Sequence, residues 1–224
     1  MTKIVIIDYG LGNLRSVYKG LEHVGANPII SADAEEIASA DGLLLPGVGA
    51  YRDGMKHIQP VMADVYKAVD DGIPMLGICL GMQMLLSESE EGMVSNILKL
   101  KVKLDNELDI ESDNGQIKGL DIIPGKVVRF PETLGLKVPQ MGWNTLNIKS
   151  DNPFFEGIPP EPFVYFVHSY HAVVESQYSL ASCEYGIEFD AIIGKDNVLG
   201  TQFHPEKSGD VGLKMLKNFV DMCI

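Results

Sequence analysis

One cysteine in the chain is placed where it could act as a nucleophile. Cys79 lies between Gly77 and Gly81, at the junction of a predicted buried strand over 74–78 and a helix predicted to begin at Leu80. A sharp turn from strand to helix crowds the backbone, so only small residues fit two positions to either side of the nucleophile. The helix N-terminus would favour a thiolate, and the free N–H of Leu80 could face an oxyanion. A buried apolar cysteine between two packing glycines is the alternative interpretation.

A histidine and a carboxylate two residues apart could activate such a thiol. Pro205 stands between His204 and Glu206 and is expected to hold the segment extended. Residues i and i+2 of an extended segment lie on one face, so Glu206 could accept a hydrogen bond from the ring of His204 and leave the other ring nitrogen for a thiol. With Cys79, these side chains have the logic of a Cys-His-Glu triad. Without the cysteine, a solvated His and Glu at a strand end would be the better interpretation.

A glycine-rich loop follows the third predicted strand. Gly47 and Gly49 flank Val48, and two glycines around one residue suit a loop that brings a backbone N–H close to a ligand. Ligands of parallel sheets bind at the carboxyl ends of the strands, where both this loop and Cys79 are predicted to lie. A plain turn is the alternative interpretation of this loop.

The remaining histidines do not suggest a metal site. His168 and His171 are three residues apart on a predicted strand, so their side chains should point to opposite faces. His23 and His57 have the surroundings of ordinary helix or loop residues. We therefore expect no bound metal, because the sequence lacks a cluster of ligands.

Composition and charge restrict the class of protein. The chain has 224 residues, 46% of them hydrophobic, and 31 acidic against 18 basic residues give a formal net charge of -13. A phosphate-binding nucleic-acid surface is therefore not expected. The three scattered cysteines lack the density and even count of a disulfide scaffold, and no apolar run has the length of a signal-peptide core or a membrane span. We expect a soluble, cytoplasmic protein that binds neither nucleic acid nor membrane.

Strands and helices alternate in the first half of the chain, and this order predicts a parallel sheet with helices on both faces. The second half is rich in strands and ends in a helix. The predicted strands cover residues 3–7, 28–31, 42–45, 74–78, 126–130, 163–168, 172–174, 178–184, 191–194 and 198–203, and the predicted helices cover 14–24, 60–71, 80–86 and 210–222.

The segment after the predicted helix over 80–86 has two further features. Residues 87–92 are mostly acidic and polar and are predicted to form a solvated turn. Apolar residues then alternate with lysines from Leu98, and the alternation resumes up to Ile110 after an Asp-Asn pair, which is typical of a β-hairpin. No repeat, low-complexity tract or linker divides the chain. We predict a single domain over residues 1–224, with a β-hairpin insertion over residues 93–116.

Several motifs together resemble those of the class I, triad-type glutamine amidotransferases. These are Pro-Gly-Val-Gly at 46–49, Gly-Ile-Cys-Leu-Gly-Met-Gln at 77–83 and Phe-His-Pro-Glu-Lys-Ser at 203–208. Four more are similar to motifs of the glutaminase subunits of imidazole glycerol phosphate synthases: Asp-Tyr-Gly-x-Gly-Asn-Leu at 8–14, Pro-Gly-Lys-Val at 124–127, Met-Gly-Trp-Asn at 141–144 and Phe-Val-His-Ser-Tyr at 166–170. The resemblance covers essentially the whole chain. It departs from the family at 93–116, where the family usually has a short loop.

The resemblance implies a flavodoxin-like α/β fold, with a central, mostly parallel sheet flanked by helices and extra strands in the C-terminal half. It implies that Cys79 attacks the side-chain amide of glutamine, that His204 carries the proton to the departing ammonia, and that Glu206 orients the imidazole. No cofactor is implied. It further implies an oxyanion hole at Val48, Gly49 and Leu80 and a glutamine-binding set at Gly47, Gln83, Ser169 and Tyr170.

The resemblance also implies a partner protein. In the family, the ammonia passes to a (β/α)8-barrel cyclase subunit that docks over the site. That subunit makes imidazole glycerol phosphate and AICAR in histidine biosynthesis. Asn13, Tyr165 and Lys207 match positions near the interface between the two subunits.

Two other classes of function stay open from the residues. An enzyme of the same fold could use the ammonia or the thioester differently, as a pyridoxal phosphate synthase glutaminase or a γ-glutamyl hydrolase does. The motifs at 8–14 and 141–144 argue against this, and an ammonia-acceptor assay with the cyclase separates the two. A catalytically silent subunit could only bind or regulate a partner. The intact Cys79, His204 and Glu206 argue against that, and alkylation of Cys79 by a glutamine-mimicking electrophile tests it.

Overall fold

The computed structural model describes residues 1–92 and 115–224, so the predicted hairpin within 93–116 lies outside the described residues. The strands are β1 Lys3–Ile7, β2 Asn27–Ser31, β3 Gly42–Gly47, β4 Met75–Cys79, β5 Leu86–Ser89, β6 Ile117–Lys118, β7 Ile123–Arg129, β8 Gln140–Thr145, β9 Asn147–Ile148, β10 Phe163–His168, β11 Tyr170–Val174, β12 Ser179–Glu184, β13 Glu188–Lys195 and β14 Val198–Thr201. The helices are α1 Leu14–His23, α2 Ala34–Ala38, α3 Tyr51–His57, α4 Met62–Asp70, α5 Leu80–Met84 and α6 Gly209–Met222. None of these helices combines the length and the apolar character needed to cross a membrane.

Twelve of the described strands form one mixed sheet. Its order is β2-β1-β3-β4-β14-β13-β11-β7-β5-β6, with β12 paired to β13 and to β9. The five strands from β2 to β14 run parallel to one another, and β13 then pairs antiparallel with β14. The predicted parallel sheet is therefore confirmed for the first half of the chain. The strands of the second half extend it with mostly antiparallel pairs.

Both faces of the parallel half are covered, and this explains the apolar run in β1. Ile4 and Ile6 pack into one core together with residues of α1 and α6. Val5 and Ile7 pack into the opposite core together with residues of α3 and α4. All four side chains have no exposed surface. A strand buried on both faces needs apolar residues at every position rather than at alternate ones.

The helix after Cys79 is shorter than predicted. The apolar spacing of Leu85 and Leu86 predicted a helix through residue 86, but α5 ends at Met84 and β5 begins at Leu86. β5 runs between β6 and β7 and pairs with both, so sheet pairing outweighs the helical spacing. The predicted solvated turn over 87–92 is wrong for residues 87–89, which belong to β5 and include the fully buried Ser89. Glu91 and Gly92 do form a turn.

Two elements near the predicted site residues were not predicted. β8 pairs with β10 in a separate two-stranded antiparallel sheet, whose strand β10 leads directly into β11 of the large sheet. Helix α3 contains a glycine, Gly54, which weakened its helical pattern. A Cβ at Gly54 would lie 2.8 Å from the sulfur of Met84, so the glycine allows α3 to pack closely on α5.

Candidate active site

The turn between β4 and α5 holds Cys79 in an uncommon backbone conformation. Its φ of 55° lies in the left-handed region that residues other than glycine rarely adopt. The glycines on either side make this turn possible. A Cβ at Gly81 would collide with the carbonyl oxygen of Leu45, and one at Gly77 would lie 2.8 Å from the backbone nitrogen of Met82. The sharp turn predicted from the glycine spacing is therefore present, and the strain at Cys79 is typical of a functional position.

The loop after β3 lies beside this turn. Gly47 pairs in register with Cys79, and a Cβ there would lie 2.5 Å from the backbone nitrogen of Gly81. The absence of a side chain at Gly47 therefore lets β3 pack closely against the turn. Gly49 has a φ of 98°, which a residue with a side chain would adopt only under strain, and Val48 is 40% exposed.

The histidine and the carboxylate predicted to serve the thiol are in contact. His204 Nδ1 lies 2.9 Å from Glu206 Oε1, and both side chains are buried. The predicted extended conformation is wrong, however, because Pro205–Lys207 forms a single turn of 3-10 helix. Ser208 stabilises this turn: its hydroxyl donates to the carbonyl of His204 at 2.6 Å and accepts from the backbone N–H of Tyr165 at 3.0 Å.

The charge environment of His204 favours its protonated form. Burial alone would lower the pKa of the imidazole. Hydrogen bonds to Cys79 and Glu206, together with the negative charge these two groups can carry, outweigh burial and raise the pKa of His204 to about 9. The ring can therefore hold a proton taken from the thiol at neutral pH, which is what a base beside a cysteine nucleophile must do.

A cavity of about 450 Å³ opens over Cys79. It gathers most of the predicted site residues. Those that line it are Val48, Gly49, Cys79, Leu80, Gln83, Ser169, Tyr170, His204 and Lys207. Glu206 does not line the cavity and reaches the site through its contact with Nδ1 of His204. The other two predicted interface residues have contacts of their own: Asn13 caps α1 by accepting from the N–H of Ser16, and the ring of Tyr165 packs edge-on against Trp143.

One acidic residue of the cavity was assigned to a solvated turn by the sequence and is in fact part of the site. Glu91 lines the cavity, and its Oε2 accepts a hydrogen bond from the backbone N–H of Tyr51 at 3.0 Å. Burial raises the pKa of Glu91; the hydrogen bond from Tyr51 opposes this, and the nearby Asp53 adds to it. The sequence held no local signal for this role, because Glu91 reaches the cavity only after β5 has paired with β7.

His168 also lines the cavity, and its predicted orientation relative to His171 is wrong. We expected His168 and His171 to point to opposite faces of one strand, but the chain passes from β10 to β11 at Ser169. Both imidazole rings consequently pack against Phe130 and Phe189. Within residues 1–92 and 115–224, no group of three or more His, Cys, Asp or Glu side chains is arranged to hold a metal ion.

His168 is held as a neutral ring. Its Nδ1 donates to the carbonyl of Tyr170 at 2.8 Å, so Nε2 of the neutral ring is an acceptor. The side-chain amide of Gln140 lies 3.0 Å from Nε2 and must present its NH2 group there. Burial lowers the pKa of His168 to about 3 against a smaller opposing effect of the Tyr170 carbonyl. The ring therefore fixes the backbone at Ser169 and Tyr170 without carrying charge.

Comparison with known proteins places this arrangement in a family. The family model described as "Glutamine amidotransferase class-I" matches residues 5–223. The imidazole glycerol phosphate synthase subunit HisH of Methanosarcina barkeri is 55% identical over 225 residues, which cover 100% of both chains. The HisH subunit of Natronomonas pharaonis is 48% identical, over 99% of this chain and 95% of its own.

A solved glutamine amidotransferase structure has the same fold, with a TM-score of 0.70 over 98% of both chains at 17% identity. The resemblance seen in the sequence is thereby confirmed along the whole chain. The chain belongs to the class-I glutamine amidotransferase family and, within it, to the family of the HisH subunits of imidazole glycerol phosphate synthase.

Proposed function

We propose that the chain hydrolyses glutamine to glutamate and ammonia through a thioester on Cys79. The observation that supports this best is the meeting of three buried groups: the thiol at the strained turn, the His204 ring that lines the same cavity, and the Glu206 carboxylate 2.9 Å from Nδ1 of that ring. Among class-I glutamine amidotransferases, this set provides a nucleophile, a base and an orienting carboxylate.

The reaction runs in two halves. His204 holds the proton given up by the thiol, and the Cys79 sulfur forms a bond to the side-chain carbonyl carbon of glutamine. His204 then gives that proton to the amide nitrogen, the C–N bond breaks, and ammonia leaves. Water adds to the thioester carbonyl and gives a proton to His204. The C–S bond breaks, and the proton returns to the sulfur as glutamate departs.

Backbone N–H groups beside the thiol would stabilise the oxyanion of each tetrahedral intermediate. Leu80 follows Cys79 at the start of α5, and Val48 and Gly49 line the same cavity. We assign the oxyanion hole to the N–H of Leu80 and one N–H of the 48–49 loop. A single such donor contributes about 10²–10³ in rate.

The remaining cavity residues would recognise the amino-acid end of glutamine. Glu91 supplies a carboxylate that is complementary in charge to the α-ammonium group. Ser169 and Tyr170 also line the cavity, and the hydrogen bond between the Tyr170 carbonyl and His168 holds this segment in place. Gln83 also lines the cavity, and its side-chain N–H groups donate to the carbonyl of Tyr170 and to Gln202, which leaves its carbonyl oxygen to face substrate.

The ammonia would pass to a partner subunit. The HisH relatives are named as subunits of a synthase, which suggests such a partner. An exposed apolar surface beside the cavity fits this role. Met141 and Trp143 on β8 are 62% and 53% exposed, and in the register of the sheet they pair with Val167, which lines the cavity, and with Tyr165. We propose that a (β/α)8-barrel cyclase docks on this surface and on Asn13 and Lys207, and makes imidazole glycerol phosphate and AICAR in the cytoplasm.

The test is glutamine hydrolysis and product formation by the chain with the purified cyclase and its acceptor substrate. Wild type should support glutamine-dependent synthesis. Cys79→Ala should abolish it and leave synthesis from ammonium salts intact, whereas Cys183→Ala, which removes a buried cysteine outside the cavity, should change neither. Glutamine-dependent synthesis by Cys79→Ala, or release of ammonia without any acceptor product in wild type, would contradict the proposal.

The docking surface needs its own test. Trp143→Ala should weaken binding of the cyclase by at least tenfold, because exposed Trp residues are frequent anchors of interfaces. Ile30→Ala is the matched control, since Ile30 is an exposed apolar residue (40%) on β2, an edge strand of the large sheet, to which β8 does not belong. Equal binding by Trp143→Ala and wild type would show that the partner docks elsewhere.

A further inference from the structure

A buried glutamine next to the nucleophile has no place in the mechanism described so far. Gln202 follows β14, has no exposed surface, and precedes His204 by two residues. Its side-chain Nε2 lies 3.8 Å from the sulfur of Cys79, within the range of an N–H···S hydrogen bond. Gln202 therefore contacts the reacting atom directly, from the protein interior.

The orientation of this amide is fixed by a chain of contacts that begins at a backbone carbonyl. The carbonyl of Tyr170 can only accept, so the group of Gln83 that lies 3.1 Å from it must be the donor Nε2. The same Nε2 lies 2.9 Å from Gln202, whose nearer atom must therefore be the acceptor Oε1. This leaves the donor Nε2 of Gln202 to face Cys79. If the Gln202 amide were reversed, its Nε2 would face the Nε2 of Gln83, and two donors would oppose each other.

Besides His204 and Gln202, the sulfur has a further polar neighbour, which acts in the opposite sense to Gln202. The thiol can donate to the carbonyl of Val167, 3.9 Å away, as long as it keeps its proton. A thiolate has no hydrogen to donate and is repelled by that carbonyl. The N–H of Gln202 instead bonds more strongly to the sulfur once it is charged, because hydrogen bonds to ionised acceptors are the stronger ones.

We infer that Gln202 is a catalytic residue that stabilises the Cys79 thiolate by an N–H···S hydrogen bond, with Gln83 and the Tyr170 carbonyl fixing the direction of its donor. The inference rests on the proposed role of Cys79 as the nucleophile. The same bond would favour the second half of the reaction. When the C–S bond of the thioester breaks, its electron pair stays on the sulfur that Gln202 faces.

The experiment measures thiolate formation without glutamine. Iodoacetamide reacts with the thiolate, forming an S–C bond and releasing iodide, and its rate is followed from pH 5 to pH 10 on the peptide that contains Cys79. Resolution by peptide is needed because the chain has two other free thiols. Both Cys183 and Cys223 are buried, and burial raises the pKa of each to about 12, so they should react slowly.

Gln202→Met keeps the length of the side chain and removes the donor. We expect the alkylation rate at pH 7 to fall about tenfold and the midpoint of the pH profile to rise by about one unit, as is typical for loss of a hydrogen bond to a charged group. With glutamine as substrate, kcat should fall by a similar factor while KM stays within about twofold. An alkylation profile that matches wild type would overturn the inference.

A matched control separates this effect from packing. Thr201→Val removes a different buried hydrogen bond, from the Thr201 hydroxyl to the carbonyl of Phe203 at 3.2 Å, one residue away. Its alkylation profile should match wild type, and a shift as large as that of Gln202→Met would overturn the inference. If Gln202→Met does not fold, Gln202→Glu decides. Its carboxylate cannot donate, so alkylation at pH 7 should fall more than tenfold, and an unchanged rate would overturn the inference.

This readout is independent of the proposed function. A chain that shows the alkylation shift but hydrolyses no glutamine would retain the bond between Gln202 and Cys79 and refute the glutaminase proposal. A chain that hydrolyses glutamine but shows no alkylation shift in Gln202→Met would support the glutaminase proposal and refute the role of Gln202.

Discussion

His204 and His168 line the same cavity and are almost equally buried, with 3% and 6% of their surfaces exposed. Burial acts on both rings in the same direction, because it disfavours the charged imidazolium. Their pKa values nevertheless differ widely, raised to about 9 in His204 and lowered to about 3 in His168. The contrast shows that burial does not decide the state of a histidine in this site.

The neighbouring groups account for the difference. His204 faces the carboxylate of Glu206 and the thiol of Cys79, two groups that can carry negative charge. His168 faces a backbone carbonyl and the neutral side-chain amide of Gln140, and a second histidine lies near it. One ring is thus equipped to exchange a proton with the substrate. The other is equipped to hold the backbone of Ser169 and Tyr170 in place.

The largest expected effect comes from removing the charged ring. His204→Ala should lower kcat for glutamine hydrolysis by about 10²–10⁴, the usual contribution of general acid–base catalysis. His168→Gln should act mainly on KM, because that ring positions Ser169 and Tyr170, which we propose bind glutamine, and does not itself transfer a proton. Steady-state kinetics of the two variants measure the difference. A kcat loss for His168→Gln as large as that for His204→Ala would erase the distinction between the two rings.

A smaller effect is expected when His204 is given neutral surroundings. Glu206→Gln keeps the size of the side chain but removes the negative charge, so the pKa of His204 should fall. We expect a loss of kcat about ten- to a hundredfold smaller than that of His204→Ala, with little change in glutamine binding. The pH profile of kcat/KM should shift to lower pH, because the pKa of His204 falls. A loss equal to that of His204→Ala would mean that Glu206 does more than orient and stabilise the ring.

The two histidines also show how far sequence reasoning reaches. The Cys79 turn and the pair of His204 and Glu206 could be predicted, because each depends on residues within a few positions of one another. The contact between His204 and Glu206 was predicted from an extended segment, but a 3-10 turn brings the two side chains together. Local chemistry was predictable here, whereas backbone detail was not.

The roles of His168, Gln202 and Glu91 could not be predicted, because each depends on contacts between distant parts of the chain. His168 changes sides because two sheets meet at Ser169. Gln202 meets Cys79 only after β14 pairs with β4. Glu91 reaches the cavity only after β5 has paired with β7. The fold class was predictable from the alternation of strands and helices. The end of α5 was not, because Leu86, which was predicted to be helical, pairs with β7 as part of β5.

The smallest expected effect concerns stability against acid. The unfolded chain binds a proton at position 168 below the ordinary histidine pKa of about 6.5, whereas the folded chain stays neutral there until about pH 3. Stability should therefore fall as pH falls through this window, by up to about 1.4 kcal/mol per pH unit from this residue. The pKa of His204 is raised, so its contribution is complete below pH 6.5 and is lost only as pH rises toward 9.

Urea unfolding between pH 6.5 and pH 4.5 measures this slope. His168→Gln should have a shallower slope than wild type, since position 168 no longer binds a proton in the unfolded chain. His23→Gln, at an exposed position of α1, is the control and should keep the slope of wild type. A His168→Gln slope equal to that of the control would mean that His168 is not held neutral by the fold.

The nitrogen chemical shifts of the two rings report their protonation states directly. In the wild-type chain, labelled with ¹⁵N at histidine and assigned with the His204→Ala and His168→Gln variants, we expect His204 to show two protonated nitrogens at pH 7 and to lose one proton near pH 9. His168 should show one protonated and one bare nitrogen at every pH from 5 to 9. Two neutral rings at pH 7, or a His168 that titrates near pH 6.5, would contradict the opposite states on which the mechanism depends.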